Sequence, residues 1–140
     1  MTPAPRPPER DPDLWLRYAH EDLEVARRLL RDEWPPVRHV LLLAQQTVEK
    51  ALKALLVWNG QEYPLTHDLG TLVQRCSAFH PEMKKLAMPA VRLTPYATWF
   101  RYPGAEEEAT TAEAIELVAA AESVYRDVVR LVKGPHREPR

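Results

Sequence analysis

The stretch PVRHVLLLAQQTVEKALKALLVWNG, residues 36–60, decides the fold. Val37, Val40, Leu41, Ala44, Val48, Ala51, Leu52 and Leu55 recur at steps of three and four, which aligns them on one face of an α-helix. Gly60 stands where helices commonly stop in a left-handed conformation, so a helix is predicted from about Pro36 to Asn59. Leu42, Leu43, Val57 and Trp58 fall on other sides of it. A helix apolar around so much of its circumference has to be covered on more than one face. A small bundle has little chain to spare for that, so a second copy of the chain is expected to supply part of the cover.

Outward from this helix the pattern stays helical. Upstream, Trp15, Leu16, Ala19, Leu23, Ala26, Leu29 and Leu30 form a single stripe over about Asp13 to Asp32, with Asp11 as N-cap and Pro12 at the first helical position. Trp34-Pro35-Pro36 ends it. Downstream, QEYPLT leads to a helix predicted from about His67 to Phe79, capped by Thr66 and stopped by Pro81. Residues 82–100 read as helical but interrupted at Pro89, with Thr94-Pro95 starting a last short piece. Thr110 and Glu113 make a capping box for a final helix from about Thr111 to Lys133. The sum is an all-α, antiparallel up-and-down bundle of four to five helices over residues 13–133. Residues 1–12 and 134–140 are rich in Pro and Arg without periodicity and are expected to be a disordered leader and tail.

Composition narrows the function classes. The 140 residues suffice for one domain, and the net charge of −1 gives no broad basic field to attract nucleic acid, so any such contact needs a local cluster. One cysteine, Cys76, excludes an internal disulfide and a cysteine-based zinc site. No His and carboxylate cluster has metal-ligand spacing and no Gly-rich phosphate loop occurs, so neither metal nor cofactor is expected. No apolar run reaches membrane-spanning length and residues 1–13 lack a signal-peptide core, which makes a cytoplasmic location the expectation.

A few polar residues break the pattern. Asp22 lies inside the apolar stripe of the first helix, where a carboxylate needs a cation or several donors. Arg101 is the first candidate partner, because a guanidinium fork suits a half-buried carboxylate. Gln45 and Glu49 sit one turn apart on the edge of the second helix's stripe, while Lys50 and Lys53 are placed facing away from it. Glu49 and Lys53 make a favourable i,i+4 pair, and the two lysines could together hold a phosphate. His67 and Asp68 open the third helix, where Asp68 also suits the helix dipole.

These residues carry a resemblance. Trp15, Ala19, Asp22-Leu23 and Ala26, then Gln45-Gln46 with Glu49 through Leu56, then Thr66-His67-Asp68-Leu69, then Tyr96 and Arg101-Tyr102-Pro103 together resemble the HEPN domain, in its subgroup with an Arg-Tyr-Pro motif. The likeness spans about residues 13–133. It implies a helical bundle that dimerises through its long helices. It also implies a prokaryotic two-component, toxin–antitoxin-like module with a minimal nucleotidyltransferase as partner. A groove lined by Asp22, Lys50, Lys53, His67, Asp68, Arg101 and Tyr102 would hold a nucleotide or RNA, or contact that partner.

Many members of that family are metal-independent endoribonucleases using an Arg-x4-6-His motif. Arg101 stands at the arginine position, yet no histidine follows before His136, and the intervening loop carries three glutamates. Arg75 to His80 and Arg130 to His136 satisfy the spacing elsewhere, but about one or two such matches are expected by chance in a chain this rich in arginine. The expected function is therefore a nucleotide-binding or substrate-presenting subunit. An endoribonuclease with a degenerate site and a purely structural interaction dimer are the alternatives.

Overall fold

A computed structural model describes residues 6–97, 103 and 109–133, with the backbone alone at Lys133. Helix α1 (Pro12–Leu30) starts as read, with the Asp11 side chain accepting from the Asp13 amide 3.0 Å away and Pro12 at the first position. Its buried side is Leu16, Ala19, Leu23 and Ala26. Helix α2 (Val37–Trp58) ends where expected: Gly60 takes φ 72°, and the Gln61 amide closes the last turn on the Leu56 carbonyl at 2.9 Å.

Helix α2 runs through the centre of the molecule. It touches α1 most extensively, then α5 (Thr111–Lys133), α3 (Leu69–Ser77) and α4 (Ala87–Leu93). Every residue from Ala51 to Val57 is consequently buried. Side chains such as Leu41, Leu52 and Leu55, fully out of water, each contribute about 1.5–3 kcal/mol. This corrects the expectation that Leu42, Leu43, Val57 and Trp58 form surplus apolar surface. Val57 is buried, Leu43 and Trp58 pack against the core, and Leu42 is half-buried. The chain's own α3, α4 and α5 supply the cover that a second subunit was invoked to provide.

Three boundaries differ from the sequence reading. Helix α3 begins at Leu69, because Asp68 rather than Thr66 is its N-cap, accepting from the Gly70 amide at 3.0 Å. Thr66 instead accepts from the Asp68 amide. Pro89 does not break a helix: it sits in the first turn of α4, where a missing N–H costs little, and the change of path falls before Ala87, after a 3-10 turn at Pro81–Leu86. Thr94 opens a 3-10 turn, Thr94–Ala97, but its hydroxyl works backwards, donating to the Ala90 carbonyl at 2.8 Å and accepting from the Leu69 amide at 3.1 Å. That bridge fixes the start of α3 against the end of α4. The capping box of α5 forms as read, with Thr110 Oγ1 accepting from the Glu113 amide and Glu113 accepting from Thr110.

Arg27 clasps α1 to α5 through Glu122 at 2.5 Å, and Arg126 meets the same carboxylate. Cys76 is buried with its thiol toward the Leu52 carbonyl, and burial pushes its pKa up to about 12, consistent with a packing role. Inside the stretch expected to be a disordered leader, Pro8–Arg10 form a 3-10 turn held against the bundle. Its contacts use a backbone carbonyl and a guanidinium, which leave no hydrophobic periodicity to read. Residues 134–140 lie outside the described residues. No described helix is long and apolar enough to cross a membrane.

Candidate functional site

Three polar residues of α2, at 45, 49 and 53, recur one turn apart along the part of the helix that is most deeply buried. All three are buried, at 0%, 4% and 6% exposure for Gln45, Glu49 and Lys53. Lys53 therefore does not face away from the core as expected. The side of α2 that carries it is covered by α1 and by the loop from Gln61 to Asp68, which brings Trp15 and Tyr63 over its ammonium. Lys53 Nζ lies 5.7 Å from the Trp15 ring centre and 5.4 Å from that of Tyr63. The two rings meet edge to face at 5.5 Å.

Glu49 is the hub. One carboxylate oxygen accepts from His67 Nδ1 at 2.7 Å and from Gln45 Nε2 at 3.0 Å, while the other meets Lys53 Nζ at 3.0 Å. Burial pushes the Glu49 carboxyl up, but the hydrogen bonds from Gln45, His67 and Lys53 outweigh it and hold its pKa below the ordinary value. Because a carboxylate only accepts, the Nδ1 of His67 carries the proton. Its Nε2 is then the accepting nitrogen of the ring, and the side chain is 59% exposed. His67 is the open end of an otherwise enclosed chain of polar groups.

Asp22 and Lys50 form a second pair beside this cluster. Lys50 Nζ stands 2.5 Å from Asp22 Oδ2, with each side chain about one-fifth exposed at 21% and 19%. The acid inside the α1 stripe thus finds its cation on α2. Arg101, the partner first expected, lies outside the described residues, as does Tyr102. Lys50 also lies 6.0 Å from the ring of Tyr18, which is 41% exposed. The two lysines do not make the joint phosphate clamp read from the sequence, since each is bound to its own acid.

Asp68 belongs to neither pair. Its carboxylate caps α3 and accepts from the Thr71 hydroxyl at 3.0 Å, a structural role in the helix's first turn. Of the residues expected in one groove, the structure joins Lys53 with His67 through Glu49 and joins Asp22 with Lys50. Reading the sequence for sites passed over Trp15, Tyr63 and Glu49. The signal for Glu49 was present, as a polar row at 45, 49 and 53 on a helix whose many apolar residues leave it little exposed surface.

Two grooves lie elsewhere. One, of about 520 Å³, runs between the end of α2 and α3 and is lined by Leu56, Gln61, Arg75 and Phe79 among others. The other, of about 410 Å³, lies between α1 and α5 at Leu16, His20 and Tyr125. Neither is lined by the residues expected at the site. His80, a candidate in the Arg75–His80 spacing, accepts from the Asn59 amide through Nε2 at 3.2 Å, and Asn59 also donates to the Leu55 carbonyl. That ring nitrogen is committed to closing α2 onto the end of α3. Among the described residues no group of three His, Cys, Asp or Glu side chains is placed to hold a metal.

The family pattern of the HEPN domain matches residues 13–132, and the chain belongs to that family. It is similar over 88% of its length to the crystal structure of ST0689, an archaeal HEPN homologue, with a TM-score of 0.69 and 26% sequence identity, covering 98% of that chain. No curated protein matches the chain.

Proposed function

We propose that this HEPN protein is a nucleotide- or RNA-binding subunit whose ligand contacts the open end of the Gln45–Glu49–Lys53–His67 cluster. The observation that carries the reading is the 2.7 Å bond from His67 Nδ1 to the buried Glu49, which leaves one oriented ring nitrogen at the surface of a buried charged network. Desolvating a carboxylate and an ammonium costs on the order of several kcal/mol, and a bundle of this size could fill the same space with apolar side chains. Retaining the charges and opening them to water at a single imidazole suits a group that meets a ligand. The Trp15, Tyr18 and Tyr63 rings near the two lysines suit a base or ribose beside a phosphate.

The family resemblance extends this reading. The subunit works in the cytoplasm as a homodimer beside a minimal nucleotidyltransferase, in a two-component module, and Arg101 and Tyr102 of the Arg-Tyr-Pro motif complete the site. Helix α2 no longer supports the dimer, being covered within the chain. The large exposed apolar side chains include Met88 and Val91 on α4 and Ile115 on α5, at 69%, 61% and 55% exposure, and these are the better candidates for a subunit contact.

A second reading, a purely structural cluster, is favoured by one fact: Lys50 and Lys53 are both already paired with acids. Calorimetric titration of the wild type and His67→Ala with a nucleotide panel and with single-stranded RNA separates the two. Binding that weakens about tenfold or more in His67→Ala, with the melting temperature little changed, supports the ligand site, tenfold being about 1.4 kcal/mol. Absence of binding by the wild type leaves the structural cluster. RNA cleavage in the same samples would return the endoribonuclease alternative.

A further inference from the structure

We propose that the 3-10 turn Pro8–Arg10 is a strap that closes an anion site centred on Lys53, and that lifting it presents the ammonium to a phosphate-bearing ligand. The inference rests on reading the Glu49–Lys53–His67 cluster as a ligand site and adds to it how access is controlled.

The strap is built in layers. The Glu9 carbonyl accepts from two aromatic side chains at once, Trp15 Nε1 at 3.0 Å and the Tyr63 hydroxyl at 3.2 Å. Those rings are the pair that stand over the Lys53 ammonium. On its other side the turn is tied by Arg10, whose guanidinium donates to the Gln61 carbonyl at 2.9 Å and lies 3.8 Å from Glu62. One short turn thus pins α1 and the loop after α2 together across the cluster. Burial, with the Glu9 carboxylate adding to it, pushes the Tyr63 phenol up, so the hydroxyl keeps its proton for this bond at neutral pH.

The strap is cheap to open and the cluster tolerates its opening. Its contacts are a few exposed hydrogen bonds and one long ion pair, with no buried residue in the turn. Such segments open locally without global unfolding. If Lys53 then turns toward a ligand, Glu49 retains Gln45 and His67, so no buried carboxylate is left without donors. The turn precedes residues 13–132, the span that matches the family pattern.

Lysine acetylation with peptide mapping reads the strap without any ligand. In the wild type Lys53 should label slowly against Lys84, an exposed lysine on another face. Arg10→Ala and Tyr63→Phe each remove one surface tie, and each should raise the Lys53 rate about tenfold relative to Lys84, the scale of a local opening made easier. An unchanged Lys53 rate in both variants overturns the strap. So does loss of helical circular dichroism in either, because the turn would then hold the fold rather than cover a site. Adenosine triphosphate titration of the same variants tests the other reading separately. Faster Lys53 labelling without triphosphate binding keeps the strap and removes the nucleotide site, whereas tighter binding by the variants supports both.

Discussion

Glu49 and His67, eighteen positions apart in sequence, meet at 2.7 Å, and this contact joins the buried middle of α2 to the surface of the molecule. It depends on the loop from Gln61 to Asp68 turning back along α2, and on the Thr94 hydroxyl holding the Leu69 amide so that α3 starts in the right place. Gln45 secures the same geometry by reaching the Glu49 carboxylate and, at 3.4 Å, the His67 carbonyl.

The Glu49–Lys53 pair should be strongly coupled. Glu49→Gln keeps shape and hydrogen-bonding capacity but leaves the ammonium of Lys53, whose side chain is 8% exposed, without its counterion. Breaking a pair at that depth costs about 3 kcal/mol. Adding Lys53→Met to it should recover most of the loss, because an apolar side chain then fills the space beneath Trp15 and Tyr63. Urea denaturation of the two single variants and the double variant measures the coupling. Additive losses would mean that the two groups do not depend on each other.

Acid should unfold the protein partly through this carboxylate. The pKa of Glu49 is lowered in the folded chain from its ordinary 4.5, and that of Glu122 is lowered by its bond from Arg27. A carboxyl that binds its proton more weakly when folded adds stability that is fully present above the unfolded value, and this stability is lost as pH falls through the folded one. The urea midpoint should therefore hold steady from pH 7 to about 5 and fall below that, less steeply in Glu49→Gln. Equal slopes in the two proteins would assign the acid sensitivity to other groups.

Asp22 should matter less than its place in the α1 stripe suggests. Its pair with Lys50 is one-fifth exposed on either side, between the exposed and buried regimes. Asp22→Asn should cost about 1–2 kcal/mol, above the surface-pair scale and below that of a fully buried pair. A denaturation midpoint equal to the wild type would show the pair to be a surface contact with no hold on the α1–α2 packing.

Helices α1, α2 and α5 were legible in the sequence because their apolar spacing runs for many turns and their caps use side chains of known habit: Asp11, Gly60, Thr110 with Glu113. Pro89 misled because proline has the same residue code in a first turn as in a helix middle, and only the path of the chain distinguishes them. The family resemblance put His67 and Lys53 in one groove, but what encloses Lys53 could not be read. Lys53 is enclosed by Trp15 from α1, Tyr63 from the following loop and, through them, the Glu9 carbonyl, and no local pattern ties those positions together. Lys50 and Lys53 read as neighbours on one face of a helix, whereas acids from different elements divide them.

The ring of His67 reports directly on whether a nucleotide meets the Glu49 cluster. Nitrogen-15 NMR of the imidazole side chains should show His67 with its proton on Nδ1 at neutral pH, as its bond to Glu49 requires. Addition of a bound nucleotide should then move the His67 Nε2 resonance more than those of His20, His39 and His80. A nucleotide that binds while leaving the His67 ring unshifted, and instead moves resonances around Arg75 and Phe79, would contradict the account and place the site in the groove beside α3.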